Sequence, residues 1–141
     1  MKRRRVLLDT GPLVAFLDRR DEHHEWAVSR WSDIEPPLLT CESVISEACF
    51  LLSRIGGRVS AVFELLDRGV IAIAFRLDED MKPVARLLSK YSSIPMSVAD
   101  ASLVRMAERF PESAVLTVDS DFAVYRKHGR QVIPTILPVR P

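Results

Sequence analysis

Short runs of consecutive apolar residues alternate along the chain with longer stretches whose apolar side chains recur every three or four positions. Val6-Leu7-Leu8 opens the series as a buried strand and runs into a helix carrying Leu13, Val14, Phe16 and Leu17. Gly11 permits a tight turn between them, and Pro12 suits the first helical position, where its missing N–H costs nothing. After a polar stretch from Asp18 to Glu25, a second helical pattern holds Trp26, Val28 and Trp31 and stops at Pro36-Pro37. Leu38 to Cys41 reads as a second strand. Glu42 to Ile55 is a helix with Val44, Ala48, Leu51 and Ile55 as its inward stripe, ended by Gly56-Gly57. A further helix holds Val59, Val62, Phe63, Leu65 and Leu66 ahead of Gly69.

Val70 to Phe75 is a β-rich third strand, and Leu77 to Tyr91 a helix with Met81, Val84, Leu87 and Leu88 facing inward. Ile94-Pro95-Met96 links it to a helix over Ser97–Phe110. Ala114 to Val118 makes a fourth strand ending at Asp119, and a short helix over 121–127 and a last strand, Val132 to Ile136, close the chain. This alternation predicts an α/β fold: a three-layer α/β/α sandwich with a mostly parallel central sheet of about five strands. No repeat or compositional break divides it, so residues 1–141 read as one domain.

Composition changes this picture little. A chain of 141 residues with 48% hydrophobic and 28% charged positions has the make-up of a soluble globular domain. The formal net charge of +1 provides no global basic field. The basic clusters Lys2-Arg3-Arg4-Arg5, Arg19-Arg20, and Arg126-Lys127 with Arg130 read first as solvated surface. Cys41 and Cys49 form no CxxC pair and read as small buried hydrophobes. Asp9 cuts off the opening apolar run too early for a signal peptide, and no run approaches membrane-spanning length. A cytoplasmic protein without membrane contact is expected.

The acids carry the chemistry. Asp9 stands at the carboxyl end of the first strand, where open α/β sheets bind ligands, although Asp is also a favoured helix N-cap. Glu47 lies beside the apolar stripe of its helix, a costly place unless it is ion-paired, with Arg54 or Arg58, or holds a metal. Asp100 completes the Ser-x-x-Asp form of a capping box with Ser97, yet shares a helix face with Leu103, Val104 and Ala107. Asp119 repeats the strand-end placement of Asp9, with Thr117 on the same strand face. Asp-Ser-Asp is also good turn chemistry, and Asp121 is in place to share or replace the role of Asp119. Four carboxylates at one sheet edge repel one another unless a cation neutralises them. Hard oxygen ligands suit Mg²⁺ or Mn²⁺, ions that activate water and stabilise charge on a phosphodiester. His23-His24 and His128 lack zinc-site spacing.

These acids and their surroundings resemble the PIN domain, the nuclease fold of the VapC toxin family. Leu8-Asp9-Thr10-Gly11-Pro12-Leu13-Val14-Ala15 is similar to the family's opening motif, Ser46-Glu47 to its second element and Asp100-Ala101-Ser102-Leu103 to its third. Leu116-Thr117-Val118-Asp119-Ser120-Asp121-Phe122 matches its closing pattern. Each piece is weak alone; the ordered set, spanning nearly the whole chain, is specific. The resemblance implies a Mg²⁺- or Mn²⁺-dependent endoribonuclease with Asp9, Glu47, Asp100 and Asp119 as catalytic metal-holding acids. It also implies Thr10, Thr117 and Asp121 as supporting groups, an RNA substrate, a cognate antitoxin protein and a homodimer. Trp26, Trp31 or Phe63 would supply the dimer's apolar patch.

Three rivals are weighed against it. The Leu-Asp-Thr-Gly signature also marks dimeric aspartic proteases, which are all-β and would leave Glu47 and Asp100 unexplained. A phosphoacceptor receiver domain wants a lysine near its last strand, and Val132 to Pro138 contains none. A catalytically silent PIN-like module that binds RNA or protein is opposed only by the intact acid set.

Overall fold

The computed structural model describes residues 4–139, which leaves Lys2 and Arg3 of the first basic cluster outside the described residues. β1 (Arg5–Leu8) leads into α1 (Thr10–Leu17) and α2 (His24–Ser32), then β2 (Leu38–Thr40), α3 (Glu42–Arg54) and α4 (Val59–Asp67). β3 (Ile71–Ile73), α5 (Leu77–Lys90), α6 (Val98–Arg109) and β4 (Ser113–Leu116) follow. A 3-10 turn (Ser120–Ala123) precedes β5 (Arg126–Lys127), β6 (Gln131–Val132) and β7 (Thr135–Ile136).

The central sheet has five strands in the order β3-β2-β1-β4-β7, every neighbouring pair parallel. Helical crossovers cover both faces, giving the expected three-layer α/β/α sandwich. Burial on both faces explains why the strands read as unbroken apolar runs: Leu7, Leu8, Leu38, Val115 and Leu116 are all fully enclosed. β1 lies at the centre and pairs with β4 over its whole length, from Arg5 opposite Ser113 to Leu8 opposite Leu116. The pairing continues one step past the strands, where the Asp9 N–H donates to the Leu116 carbonyl at 3.1 Å.

Several elements differ from expectation. α1 begins at Thr10, so Pro12 is its third residue; proline is tolerated there because the first-turn N–H groups have no intrahelical partner. Gly11 is therefore helical and does not make a turn. Its need is space, because a Cβ there would collide with Cγ2 of Val118. β3 stops at Ile73, two residues before Phe75, and so stays a short edge strand. In α3 the buried stripe is Val44, Ile45, Ala48 and Leu52, while Leu51 and Ile55 are exposed. The four-residue spacing was right, but the helix is rotated by about one position.

α5 is broken at Asp80, which has non-helical φ/ψ. Pro83 supplies the cause, since its ring cannot sit above a regular turn. The break turns Asp80 inward, where it accepts from Arg105 Nε at 3.0 Å and from Arg109 Nη2 at 3.1 Å, both of α6. It also leaves Met81 exposed, against the expected inward stripe. The expected helix over 121–127 is only the 3-10 turn, and β5 and β6 form a separate antiparallel hairpin. His128 and Gly129, both at positive φ, make its bend. Pro134 interrupts the expected last strand, and only Thr135–Ile136 joins the central sheet.

Gly11→Ala is expected to destabilise the protein by about 1–3 kcal/mol, the usual cost of overpacking, although alanine is the better helix former. Denaturant unfolding of G11A, V118A and the double variant checks this. The double variant should lose less than the sum of the single losses, and strict additivity would contradict the collision.

Candidate active site

Asp9 is the deepest of the four acids, enclosed at the carboxyl end of β1. Its extended backbone makes it the N-cap of α1, with Oδ1 accepting from the Thr10 N–H at 2.8 Å. Oδ2 accepts from the Thr117 hydroxyl at 2.7 Å, a bond between residues 108 positions apart. Thr117 Oγ1 in turn accepts from the Asp119 N–H at 2.9 Å, which leaves its proton directed at Asp9. Burial raises the Asp9 carboxyl to about 6; the bonds from Thr117 and Thr10 oppose that rise, and the charges of Asp100 and Asp119 add to it.

Asp100 is buried in the first turn of α6, and both halves of its capping box form. Its N–H donates to Ser97 Oγ and its Oδ2 accepts from the Ser97 N–H, each at 3.0 Å. Burial raises its affinity for a proton, the Ser97 bonds oppose this, and Asp119 and Asp121 reinforce it. The Tyr125 hydroxyl approaches the same Oδ2 at 3.5 Å. Tyr125 is fully buried, packed edge-on against Tyr91 and Phe122. Sequence reasoning missed it; the available signal was a hydroxyl-bearing aromatic just after the closing motif.

Asp119 lies three residues beyond β4 rather than at its end, half-buried, with Oδ1 accepting from the Asp121 N–H at 2.8 Å. The Asp-Ser-Asp turn therefore forms, and it holds Asp119 toward the other acids. Between the two candidates for this position, Asp119 acts on both Asp9 and Asp100, whereas Asp121 acts on Asp100.

Glu47 departs most from expectation, being exposed on α3 instead of facing the core. The rotation of the helix that exposes Leu51 also brings Glu47 to the rim. Neither suggested ion pair forms: Arg58 binds Glu64, and Arg54 lies over the Phe50 ring. Partial burial and the charge of Asp100 raise the Glu47 carboxyl, while the nearby Thr10 hydroxyl favours its charged form. That hydroxyl is close to Glu47 without being aligned on it, and Thr10 Oγ1 remains buried with no hydrogen-bond partner.

Asp9 thus senses the charges of Asp100 and Asp119, Asp100 that of Asp119, and Glu47 that of Asp100. Among the described residues, no three His, Cys, Asp or Glu side chains already close into a metal cage. A closed cage is not required, since Mg²⁺ binds through one or two carboxylates and keeps much of its water. The donor set fits such a cation on two counts. Its oxygens are hard and carry mutually unfavourable charge, and the orphaned Thr10 hydroxyl lacks a polar partner. Cys41, close by, is no competitor, because burial pushes its thiol up to about 11 and keeps it protonated. A groove of about 510 Å³ between α3 and α6 takes in Glu47, Ser97 and Ala99. A larger cleft of about 820 Å³ beside β3 and α5 contains none of the four acids.

A family model described as PIN domain matches residues 6–128. Ribonuclease VapC26 of Mycobacterium tuberculosis (strain ATCC 25618 / H37Rv) is 29% identical over 117 residues, covering 81% of this chain and 86% of that protein. The crystal structure of Mycobacterium tuberculosis VapC20, described as a sarcin-ricin loop cleaving toxin, superposes with a TM-score of 0.73 at 22% identity. That superposition covers 92% of this chain and 99% of the other, and shows a shared fold.

The raised Asp9 carboxyl has a stability consequence. Its folded value of about 6 lies above its ordinary 3.8, so the folded state holds the proton longer and stability falls as pH rises through that window. Above it, ionised Asp9 costs the fold on the order of 3 kcal/mol. In EDTA at about pH 7.5, Asp9→Asn is expected to melt higher than wild type, with the difference fading toward pH 4. Added Mg²⁺ should raise the wild-type melting temperature and leave the variant's unchanged. Melting curves across pH check both, and an Asp9→Asn protein no more stable than wild type at pH 7.5 would contradict the first.

Proposed function

The chain belongs to the PIN-domain family, and on that footing we propose that it is a Mg²⁺- or Mn²⁺-dependent endoribonuclease, the toxin of a toxin–antitoxin pair. The observation that carries this reading is the enclosed Asp9 carboxyl, raised by burial and by the charges of Asp100 and Asp119. Such an arrangement is unfavourable for folding and is characteristic of sites that hold a cation.

In this reading Asp9, Glu47, Asp100 and Asp119 hold the ion. When bound, it supplies Lewis-acid stabilisation of the phosphodiester under attack and a nucleophile at neutral pH. The chain's own groups do the positioning. Thr117, held by the Asp119 N–H, fixes the rotamer of Asp9 through Oδ2. Ser97 fixes Asp100 through the capping box, leaving Oδ1 of Asp100 outside those bonds. The Thr10 hydroxyl, buried at the site without a hydrogen-bond partner, lies close to Glu47 and favours its charged form. Asp121 orients Asp119 through its backbone N–H and adds negative charge near Asp100.

The relatives' names support an RNA substrate and a toxin role. A cognate antitoxin and a homodimer acting in the cytoplasm complete the reading. No helix among the described residues is long and apolar enough to cross a membrane. Of the aromatic residues expected at a dimer contact, Trp31 is buried, Trp26 is partly covered and Phe63 is exposed.

Purified protein is expected to cleave single-stranded RNA with Mg²⁺ or Mn²⁺, and EDTA or Asp9→Asn to abolish cleavage while the fold survives. Gel-resolved cleavage products and circular dichroism read the two halves. Cleavage that persists in EDTA, or in the folded Asp9→Asn protein, overturns the mechanism.

A further inference from the structure

The outward face of α3 continues past Glu47 into an aromatic residue that the core does not use. Phe50 is 58% exposed, one helical turn beyond Glu47. Both line the groove between α3 and α6, together with Ser43, Ser46, Ser97, Val98 and Ala99. Arg54 sits over the Phe50 ring at 5.7 Å and does not itself line the groove, so the cation covers one part of the ring and the groove reaches another. Val98, on the facing helix, is 40% exposed and offers a second apolar surface. Ser97 Oγ accepts a bond from the Asp100 N–H, which leaves its hydroxyl proton free to donate into the groove.

A solvent-facing phenylalanine is unfavourable on an ordinary helix surface, where a polar side chain would serve. Here it is bracketed by an acid of the metal site on one side and a guanidinium on the other. An aromatic plane, a stacked arginine and short hydroxyl donors are the combination that receives unpaired bases of single-stranded RNA. A flat base has two apolar faces and a polar edge, and the groove offers Phe50 and Val98 to the former and serine hydroxyls to the latter. Glu47 lines the same groove, so a bound nucleotide lies next to that acid.

We propose that the groove between α3 and α6 is a nucleotide subsite, in which an unpaired base of the RNA substrate stacks on Phe50 beside Glu47. This rests on the ribonuclease reading above. The subsite selects single-stranded over paired RNA, because a base in a duplex cannot reach the ring.

The test uses full-length protein and single-stranded RNA hexanucleotides. Phe50→Ala is expected to raise KM about 5- to 150-fold, the range for losing one stacked base, with kcat changed far less. Phe50→Trp should keep KM near wild type, and its added fluorescence over the two native tryptophans should be quenched by hexanucleotide in EDTA. An unchanged KM in Phe50→Ala together with no quenching in Phe50→Trp overturns the subsite and leaves the ribonuclease reading standing. Quenching without cleavage by wild type supports the subsite and overturns the ribonuclease reading instead. A drop in solution mass on Phe50→Ala, by light scattering, would show that a second copy of the chain covers this face, and would also overturn the proposal.

Discussion

The pairing of β1 with β4 is the constraint on which the rest of the site depends. It brings residues more than a hundred positions apart to one point, and it does so through backbone bonds that no side chain chooses. With Leu8 opposite Leu116, Asp9 and Thr117 emerge together at the sheet edge, and the Thr117 hydroxyl meets Asp9 Oδ2. A slip of one residue would turn Asp9 to the opposite face of the sheet and separate it from Thr117. The same register brings Val118 against Gly11, where only a missing Cβ lets α1 approach. Strand pairing, helix approach and the orientation of the deepest acid are thus one arrangement.

That arrangement carries an electrostatic cost, and local backbone chemistry contains it. Each of three acids is also a cap or turn residue: Asp9 for α1, Asp100 for α6, and Asp119 for the 3-10 turn. The capping reading and the metal reading of these residues therefore do not compete. A cap holds the carboxylate in one rotamer through a backbone N–H, and each carboxylate oxygen has a second lone pair for other work. For Asp9 the opposition is explicit, since its bonds to Thr117 and Thr10 favour ionisation and burial disfavours it more strongly. The sheet and helix packing must offset the remainder, which is the usual relation between a functional site and the stability of its fold.

Legibility in the sequence followed how local the determinant was. The parallel strands were readable because burial on both faces writes them as apolar runs, and Asp9 and Asp100 because capping signatures span four residues or fewer. The ordered motifs carried the family resemblance. Less local features were misread. Glu47 was expected inward because Val44 and Leu51 bracket it, yet α3 buries Ile45 and Leu52, and one position of rotation moves both Glu47 and Leu51 outward. Met81 was expected in the core, but the break at Asp80 turns it out and gives the interior to an ion pair with Arg105 and Arg109. The end of the expected helix, Arg126–Lys127, is instead the first strand of a hairpin, whose bend takes positive φ at His128 as well as at Gly129. Tyr125 gives no such local signal, because its partner, Asp100, comes from α6, 25 positions earlier.

The misreading of Glu47 changes how the acids divide their work. Had it faced the core, two deeply buried carboxylates would have repelled each other at low dielectric with no water to share the load. The structure instead grades the acids from the enclosed Asp9, through buried Asp100 and half-buried Asp119, to Glu47 in solvent. The inner acid would gain most from a cation, because burial raises its carboxyl to about 6. The outer acid lies at the exposed rim, where partial burial and the charge of Asp100 still raise its carboxyl and the Thr10 hydroxyl opposes the rise. α3 is built for this division, with Val44, Ile45, Ala48 and Leu52 fastened into the core while Glu47 and Phe50 look outward. A helix anchored on one face and exposed on the other lets the rim vary without disturbing the register that places Asp9.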